Sequence, residues 1–146
     1  MKDRYLFRGK CIITNDWQAG HYAPQYEWWV GSFVMRPEHD EHHFIYYFGY
    51  EDKDRMYKDA SEIDPATIGQ CTGLKDKNGN LIFEGDIIKC ESSAKYAFET
   101  FAIVWHENGF FMENKSSRFH LNTKTVASSE IIGNIHDNPQ LLEAGV

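Results

Sequence analysis

A mainly β fold, arranged as a small barrel or sandwich with short helical turns, is the fold class that the sequence predicts. Aromatic residues make up 15% of the 146 residues, and many lie in short runs of alternating polarity, which is typical of half-buried strands. Turn signals separate these runs at intervals of roughly ten residues, as in small barrels and sandwiches. The length corresponds to one domain, 1–146, or to two small lobes.

The N-terminal part of the chain contains several short apolar or aromatic runs. The strands predicted there, in order, are 5–7, 11–13, 17–22, 26–35 and 44–50. Residues 51–61 are charged and poor in apolar side chains, so we interpret them as a connector. If the domain divides, the lobes are an N-terminal β lobe over 1–60 and a C-terminal, SH3-like β lobe over 61–146.

Turn residues dominate the middle of the chain. Asp64-Pro65 is the pattern of a helix N-cap followed by proline at the first helical position, and it predicts a brief helical turn. Asn78-Gly79 favours positive φ between two short apolar runs and predicts a hairpin. The turn at 84–86 then leads into a strand over 87–90, a sequence common in SH3-like barrels.

The C-terminal part continues the β pattern. Residues 96–105 alternate with bulky side chains on both sides, which predicts a strand covered on both faces. A turn at 107–109 leads into a strand over 110–112, and the last strand covers 131–135. Asn138-Pro139 predicts a terminal helical turn that carries Leu141 and Leu142.

Three segments of the chain resemble the YopX-like family of phage and prophage proteins. They are Tyr5 to Lys10, the run from Asp64 to Gly79 with its continuation Ile82 to Ile88, and Ile132 to Leu142. Because they lie at the start, middle and end, the resemblance covers nearly the whole chain. It implies a mainly β fold and a phage or prophage origin. It implies no established activity.

The residues of this family motif have a structural interpretation. Glycines permit tight turns that a Cβ atom would strain, and aspartates accept hydrogen bonds from turn N–H groups. We therefore predict structural turn roles, and not catalysis, for the motif residues Gly69, Gly73, Asp76, Gly79, Gly85, Asp86 and Gly133. A binding loop over 75–78 is the functional alternative, since loops often carry function.

Charge and cysteine content exclude some classes of function. The formal net charge is −7, and the one basic cluster, between Lys2 and Lys10, is interrupted by Asp3. Non-specific nucleic-acid binding needs a basic surface, so nucleic acid is not expected as a partner. Cys11, Cys71 and Cys90 lack a C-x-x-C pattern, which argues against a zinc ribbon or a disulfide framework and indicates reduced, buried thiols.

The histidines at 39, 42 and 43 form the strongest local candidate for metal chemistry. His39, His42 and His43 lie among carboxylates, and these are ligand types that zinc and nickel use. The gap between His39 and His43 matches H-E-x-x-H, but aspartate replaces the catalytic glutamate and Pro37 argues against a helix. We interpret the segment as a solvated loop and expect no metal or other cofactor.

A non-enzymatic, self-associating binding module in the cytoplasm of a bacterial host is the function that these features favour. We expect a homo-oligomer with aromatic residues from 26–35 or 44–50 at its interface, and a host or phage protein as a further partner. No run of apolar residues suits a membrane helix. The alternatives are an SH3-like nucleic-acid-binding module, a metal-dependent enzyme built on His39, His42 and His43, and an acidic decoy for a host nucleic-acid-binding protein.

Overall fold

The structure is a computed structural model that describes residues 5–11, 28–35, 43–52, 55–91 and 99–143. It divides into two compact units, of which the N-terminal one is Tyr5–Gln70 and the C-terminal one begins at Cys71. Strands form most of both units and helices are short, so the predicted mainly β class is confirmed. Within the described residues the strands form open sheets with no closed barrel, so the predicted barrel or sandwich is supported only as a mainly β fold built from sheets.

The N-terminal unit is an antiparallel sheet. Its strands are β1 (Phe7–Lys10), β2 (Trp28–Met35), β3 (His43–Asp52) and β4 (Arg55–Glu62), in the order β4-β3-β2-β1. The first residues of β5 (Gly69–Lys75) pair with β1, with Phe7 opposite Gln70. The predicted strands over 11–13 and 17–22 lie outside the described residues, apart from Cys11, which forms an isolated bridge with Ile63.

The prediction of a connector over 51–61 is wrong. Arg55–Glu62 forms strand β4, which pairs with β3 from Phe44 opposite Glu62 to Asp52 opposite Arg55. Its low apolar content is the reason for the error, because a strand at the edge of a sheet is held by backbone bonds and accommodates charged side chains.

A short 3-10 helical turn, Pro65–Thr67, follows the sheet of the N-terminal unit. The side chain of Asp64 accepts a hydrogen bond from the N–H of Ala66 at 2.9 Å, and proline occupies the first position of the turn. This is the N-cap that the Asp64-Pro65 pair predicted. The hydroxyl of Thr67 also accepts from the N–H of Lys10 at 2.9 Å, which fixes the turn against β1.

The C-terminal unit contains a five-stranded antiparallel sheet and a hairpin. The later residues of β5 pair with β6 (Leu81–Phe83). The sheet is formed by β7 (Asp86–Cys90), β8 (Thr100–His106), β9 (Gly109–Glu113), β10 (Arg118–His120) and β11 (Ser129–Asn134), in the order β10-β9-β8-β7-β11. Helix α1 (Thr123–Ala127) connects the two edge strands, and α2 (Gln140–Glu143) follows β11.

The core of this unit lies on one side of the sheet. Its fully buried members come from β6, β7, β8, β9 and α1, and they are Ile82, Ile88, Cys90, Phe101, Ile103, Met112 and Val126. Strand alternation explains the choice, because residues two apart share a face. Helix α1 is held by Asn122, whose side chain accepts the N–H of Thr125, and it contributes Val126 to the core. No helix of the described residues is long and apolar enough to span a membrane.

Candidate functional site

The histidines of the predicted metal segment are only partly within the described chain. His39 and His42 lie outside the described residues, and His43 is the first residue of β3. Among the residues that the structure does describe, no group of three or more histidine, cysteine or acidic side chains is placed to hold a metal ion. The prediction concerning this loop therefore stays a prediction.

The family-motif glycines occupy two kinds of position. Gly73, Gly79 and Gly85 have φ values of 79°, 81° and 89°, a region that side chains with a Cβ rarely adopt. Gly69, in contrast, begins strand β5, and Gly133 lies in β11 at a break in its register with β7. A Cβ atom on Gly133 would lie 2.6 Å from Oδ1 of Asn138, so glycine is needed there because the neighbouring side chain packs too closely for any other residue.

Asp76 is the buried carboxylate of the β5–β6 loop. Its Oδ1 accepts the N–H groups of Asn78 and Asn80 at 2.9 Å each, and its Oδ2 accepts the N–H of Ile131 at 3.1 Å. Burial opposes ionisation, but these backbone donors outweigh it and lower the pKa of the Asp76 carboxyl. Asp76 therefore orders its own loop and also ties that loop to β11.

Asp86 has a similar structural position at the next turn. It is fully buried, and its Oδ2 accepts the N–H of Phe83 at 2.8 Å across the turn between β6 and β7. The backbone N–H of Gly85 donates to the carbonyl of Ile103 at 2.8 Å, which joins the turn to β8. Both motif aspartates are thus engaged by backbone donors inside the fold.

The three cysteines lie inside the fold. Cys11, Cys71 and Cys90 are free thiols and are buried, as predicted. Burial raises the pKa of the Cys90 thiol to about 11, with the Glu99 carboxylate adding to the effect. Since the thiolate is the nucleophilic form, Cys90 is a core residue and not a nucleophile at neutral pH.

A group of side chains, of which His120 is exposed and the others are half-buried, lies on the side of the five-stranded sheet opposite the core. We call it the aromatic face, and its residues are Val104 and His106 of β8, Phe111 of β9 and His120 of β10. Val104 and His120 both lie opposite Phe111 across the strands. The rings of Phe111 and His120 have centroids 4.1 Å apart, and the His106 ring meets Phe111 edge-on at 5.7 Å.

A cluster of polar contacts around the Glu113 carboxylate borders the aromatic face. Arg118 and His106 both contact Oε2 of Glu113, His106 through Nε2 at 3.3 Å. The hydrogen bond from Arg118 lowers the pKa of the Glu113 carboxyl, and the one from His106 adds to it. Beyond this cluster, Thr100 donates to the carbonyl of Leu141 at 3.4 Å, so α2 lies against the same side of β8. The aromatic face is the part of this side that α2 leaves open.

The tip of the β8–β9 hairpin carries a second pair of rings, Trp105 and Phe110, on the core side of the sheet. His106 pairs with Gly109 across the turn that residues 107–109 predicted. Trp105 is 49% exposed, and its ring meets Phe110 edge-on with centroids 4.9 Å apart. Exposed aromatic rings with a polar edge suit a protein interface or the stacking of a planar group.

The N-terminal unit also exposes part of a segment that the sequence singled out. On β2, Val30 is 38% exposed, and the Arg8 guanidinium lies 4.8 Å above the ring of Trp28. Arg8 and Val30 are cross-strand partners, so these three residues share one face. This corner belongs to the predicted 26–35 interface.

Sequence reasoning missed Glu113, Arg118 and His120. A signal was present in residues 118–120, where polar, aromatic and polar side chains alternate between a turn at 114–117 and the cap residue Asn122. Three residues are too few for periodicity to stand out. The contact of Arg118 with Glu113 and the contact between the rings of Phe111 and His120 arise only when β10 pairs with β9.

Comparison with known proteins agrees with the motif-based resemblance. The chain matches the family model described as YopX protein over residues 25–143. It is also similar to protein EF1440 from Enterococcus faecalis, a crystal structure, with 31% sequence identity, 66% of this chain and 75% of that chain covered, and a TM-score of 0.46. No curated protein matches the chain. The family match spans the middle and closing motif segments, and the chain belongs to the YopX protein family.

Proposed function

We propose that this YopX-family chain is a non-catalytic binding module, an accessory protein of a phage or prophage that self-associates in the cytoplasm of its bacterial host. The observation that carries the proposal is the aromatic face, where the ring centroids of Phe111 and the exposed His120 lie 4.1 Å apart. Aromatic and arginine side chains are enriched at protein interfaces. An SH3-like character of residues 61–146 belongs to the same proposal, and the antiparallel succession β7-β8-β9-β10 supports it.

The chemistry of the described site favours binding over catalysis. The carboxylate of Glu113 is held by Arg118 and His106, and the thiol of Cys90 is buried in the core. The aromatic face therefore offers ring surface and hydrogen-bond donors, which suit a protein partner.

The test is affinity capture from host lysate with the wild-type chain and two charge-matched variants. Phe111→Lys places a cation in the middle of the aromatic face, and Ala127→Lys places one at an exposed position of α1. We expect a protein that the wild-type chain and Ala127→Lys retain and that Phe111→Lys loses. Equal capture by all three chains would contradict the proposal that the aromatic face is the binding surface.

A nucleic-acid-binding module is the second candidate, because the rings of Phe111 and His120 are placed to stack on bases. The net charge of −7 opposes it. Titration with labelled duplex and single strands separates the two candidates. Binding tighter than the non-specific range of about 10⁻⁴–10⁻⁶ M, weakened steeply by salt, would favour nucleic acid.

A further inference from the structure

The two edge strands of the five-stranded sheet differ in how their outward backbone groups are used. An edge strand presents N–H and C=O groups that need partners. At β11 the β5–β6 loop supplies them: the N–H of Lys77 donates to the carbonyl of Ser129 at 2.9 Å, and the N–H of Ile131 donates to Asp76 at 3.1 Å. The β11 edge is therefore closed by the chain itself.

At β10, the hydrogen bonds made by the residues just before and just after the strand show which of its backbone groups point away from β9. The N–H of Asn114 donates to the carbonyl of Ser117, and the N–H of Leu121 donates to the carbonyl of Phe110. Antiparallel ladders alternate between bonded and non-bonded pairs, so Phe119 is the bonded partner of Met112. The N–H and C=O groups of Arg118 and His120 consequently point away from β9.

These outward groups form an open edge. Within the described residues, neither the backbone nor a side chain of the C-terminal unit binds the N–H or C=O of Arg118 or His120, and β10 is the last strand of its sheet. Phe119, which lies between them, is partly buried and meets Phe101 edge-on at 6.0 Å.

We propose that the β10 edge binds the β10 edge of a second copy of this chain, in antiparallel pairing about a two-fold axis at Phe119. This register places Arg118 opposite His120 of the second copy and satisfies the two outward N–H and the two outward C=O groups of each chain. It also places the two Phe119 residues in a non-bonded pair, with Cα atoms about 4.5 Å apart, where side chains contact most closely.

The length and charge of β10 identify the second copy as the occupant. The strand has three residues, Arg118–His120, between a turn and the cap of α1, so a longer partner strand would run beyond its hydrogen-bonding groups. A second β10 has the same length. The register centred on Phe119 sets each arginine against an imidazole and avoids a contact between two arginines, which would be repulsive.

This interface rests on the self-association in the proposed function and assigns it a location other than 26–35 or 44–50. Pairing about an axis perpendicular to the sheet keeps the same side of both sheets together. The aromatic faces of two chains then lie side by side, with His120 of each copy at the junction.

The first experiment measures mass by light scattering at micromolar concentration for the wild-type chain, His120→Ala and His120→Pro. Both substitutions remove the imidazole, but only proline removes the outward N–H, and proline is tolerated where an edge N–H faces outward. We expect wild type and His120→Ala at twice the 17.0 kDa chain mass, and dimerisation of His120→Pro weaker by at least about tenfold, since each dimer loses two hydrogen bonds. Circular dichroism checks that all three are folded.

The second experiment tests the register by mild oxidation of the double variant Arg118→Cys/His120→Cys and of each single variant. In the proposed pairing the two introduced thiols face each other across a bonded pair with Cα atoms about 5.5 Å apart, within disulfide range. In each single variant the introduced thiols are two residues out of register. We expect covalent dimers from the double variant alone.

The outcomes separate the interface from self-association in general. A wild-type chain that stays monomeric overturns both self-association and the β10 interface. A dimer that His120→Pro leaves intact, or a double variant that does not cross-link, overturns pairing through β10 and moves the interface to another surface. If the lysate capture with Phe111→Lys finds no partner protein, the proposed partner binding fails, but the dimer measured by light scattering still stands.

Discussion

The two edge strands of the five-stranded sheet, β10 and β11, differ in what binds their outward backbone N–H and C=O groups. At β11, a buried carboxylate and a loop N–H bind the outward backbone groups, and the bond between Asp76 and Ile131 spans 55 residues of sequence. At β10, exposed side chains pair with one another, and no described group of the C-terminal unit binds the outward backbone groups. From this comparison we expect the closed edge to contribute mainly to stability, and we propose the open edge as the place of association.

The largest expected effect is at the closed edge. Asp76→Ala removes the acceptor of three backbone N–H groups and leaves them in a partly buried loop. We expect the free energy of unfolding to fall by about 3 kcal/mol, since each unmade bond costs on the order of 1 kcal/mol. Urea denaturation measures it.

Glu113→Ala is the matched control at the open edge, because it deletes a carboxylate whose partners are exposed. Exposed ion pairs contribute at most about 1 kcal/mol, so this loss should be much smaller. Equal losses for Asp76→Ala and Glu113→Ala would contradict the distinction between the edges.

A smaller effect is expected in the loop that closes β11. Gly79 has φ of +81°, and no atom lies within 4 Å of the position where its Cβ would be. Gly79→Val should therefore destabilise by more than about 1 kcal/mol through backbone strain alone. Gly109→Val, at a glycine with equal space but without positive φ, is the control at the β8–β9 hairpin. Thermal unfolding of both variants measures the loss of stability, and we expect a lower melting temperature for Gly79→Val than for Gly109→Val if the positive φ is the cause.

The smallest expected effect is the pH dependence of the stability that the Asp76 carboxylate contributes. The folded-state pKa of Asp76 lies below its ordinary value, so its ionised form stabilises the fold at neutral pH. That contribution is lost as pH falls below about 4, towards the folded-state pKa. Wild type should therefore lose more stability than Asp76→Asn between about pH 6 and pH 3.

Added salt should distinguish the contribution of Asp76 to stability from that of Glu113. The pKa of Glu113 is lowered mainly by the exposed Arg118, so added salt should reduce the difference between wild type and Glu113→Gln. The difference between wild type and Asp76→Asn depends on backbone N–H donors and should persist. Denaturation at low and high salt measures both, and a salt-sensitive Asp76 contribution would argue against the closed edge.

The sequence predicted those parts of the fold that depend on local chemistry. Asp64-Pro65 gave its capped turn because an N-cap needs only neighbouring backbone N–H groups. Strand β4 was missed because its pairing with β3, and not its own composition, makes it a strand. The same reason explains the candidate site: the contacts of Glu113 with Arg118 and of Phe111 with His120 depend on the register between β9 and β10.

The return of the chain to close the β11 edge has a consequence for the order of folding. Strands β7, β8, β9 and β10 are sheet neighbours in chain order, so each can pair with a strand that is close in sequence. Strand β11 must instead pair with β7, and Asp76 must find Ile131. Long loops close slowly because their entropy is lost before any contact forms. We therefore expect the β7–β10 meander to assemble early and the long-range contacts of β11, including the one with Asp76, to form last.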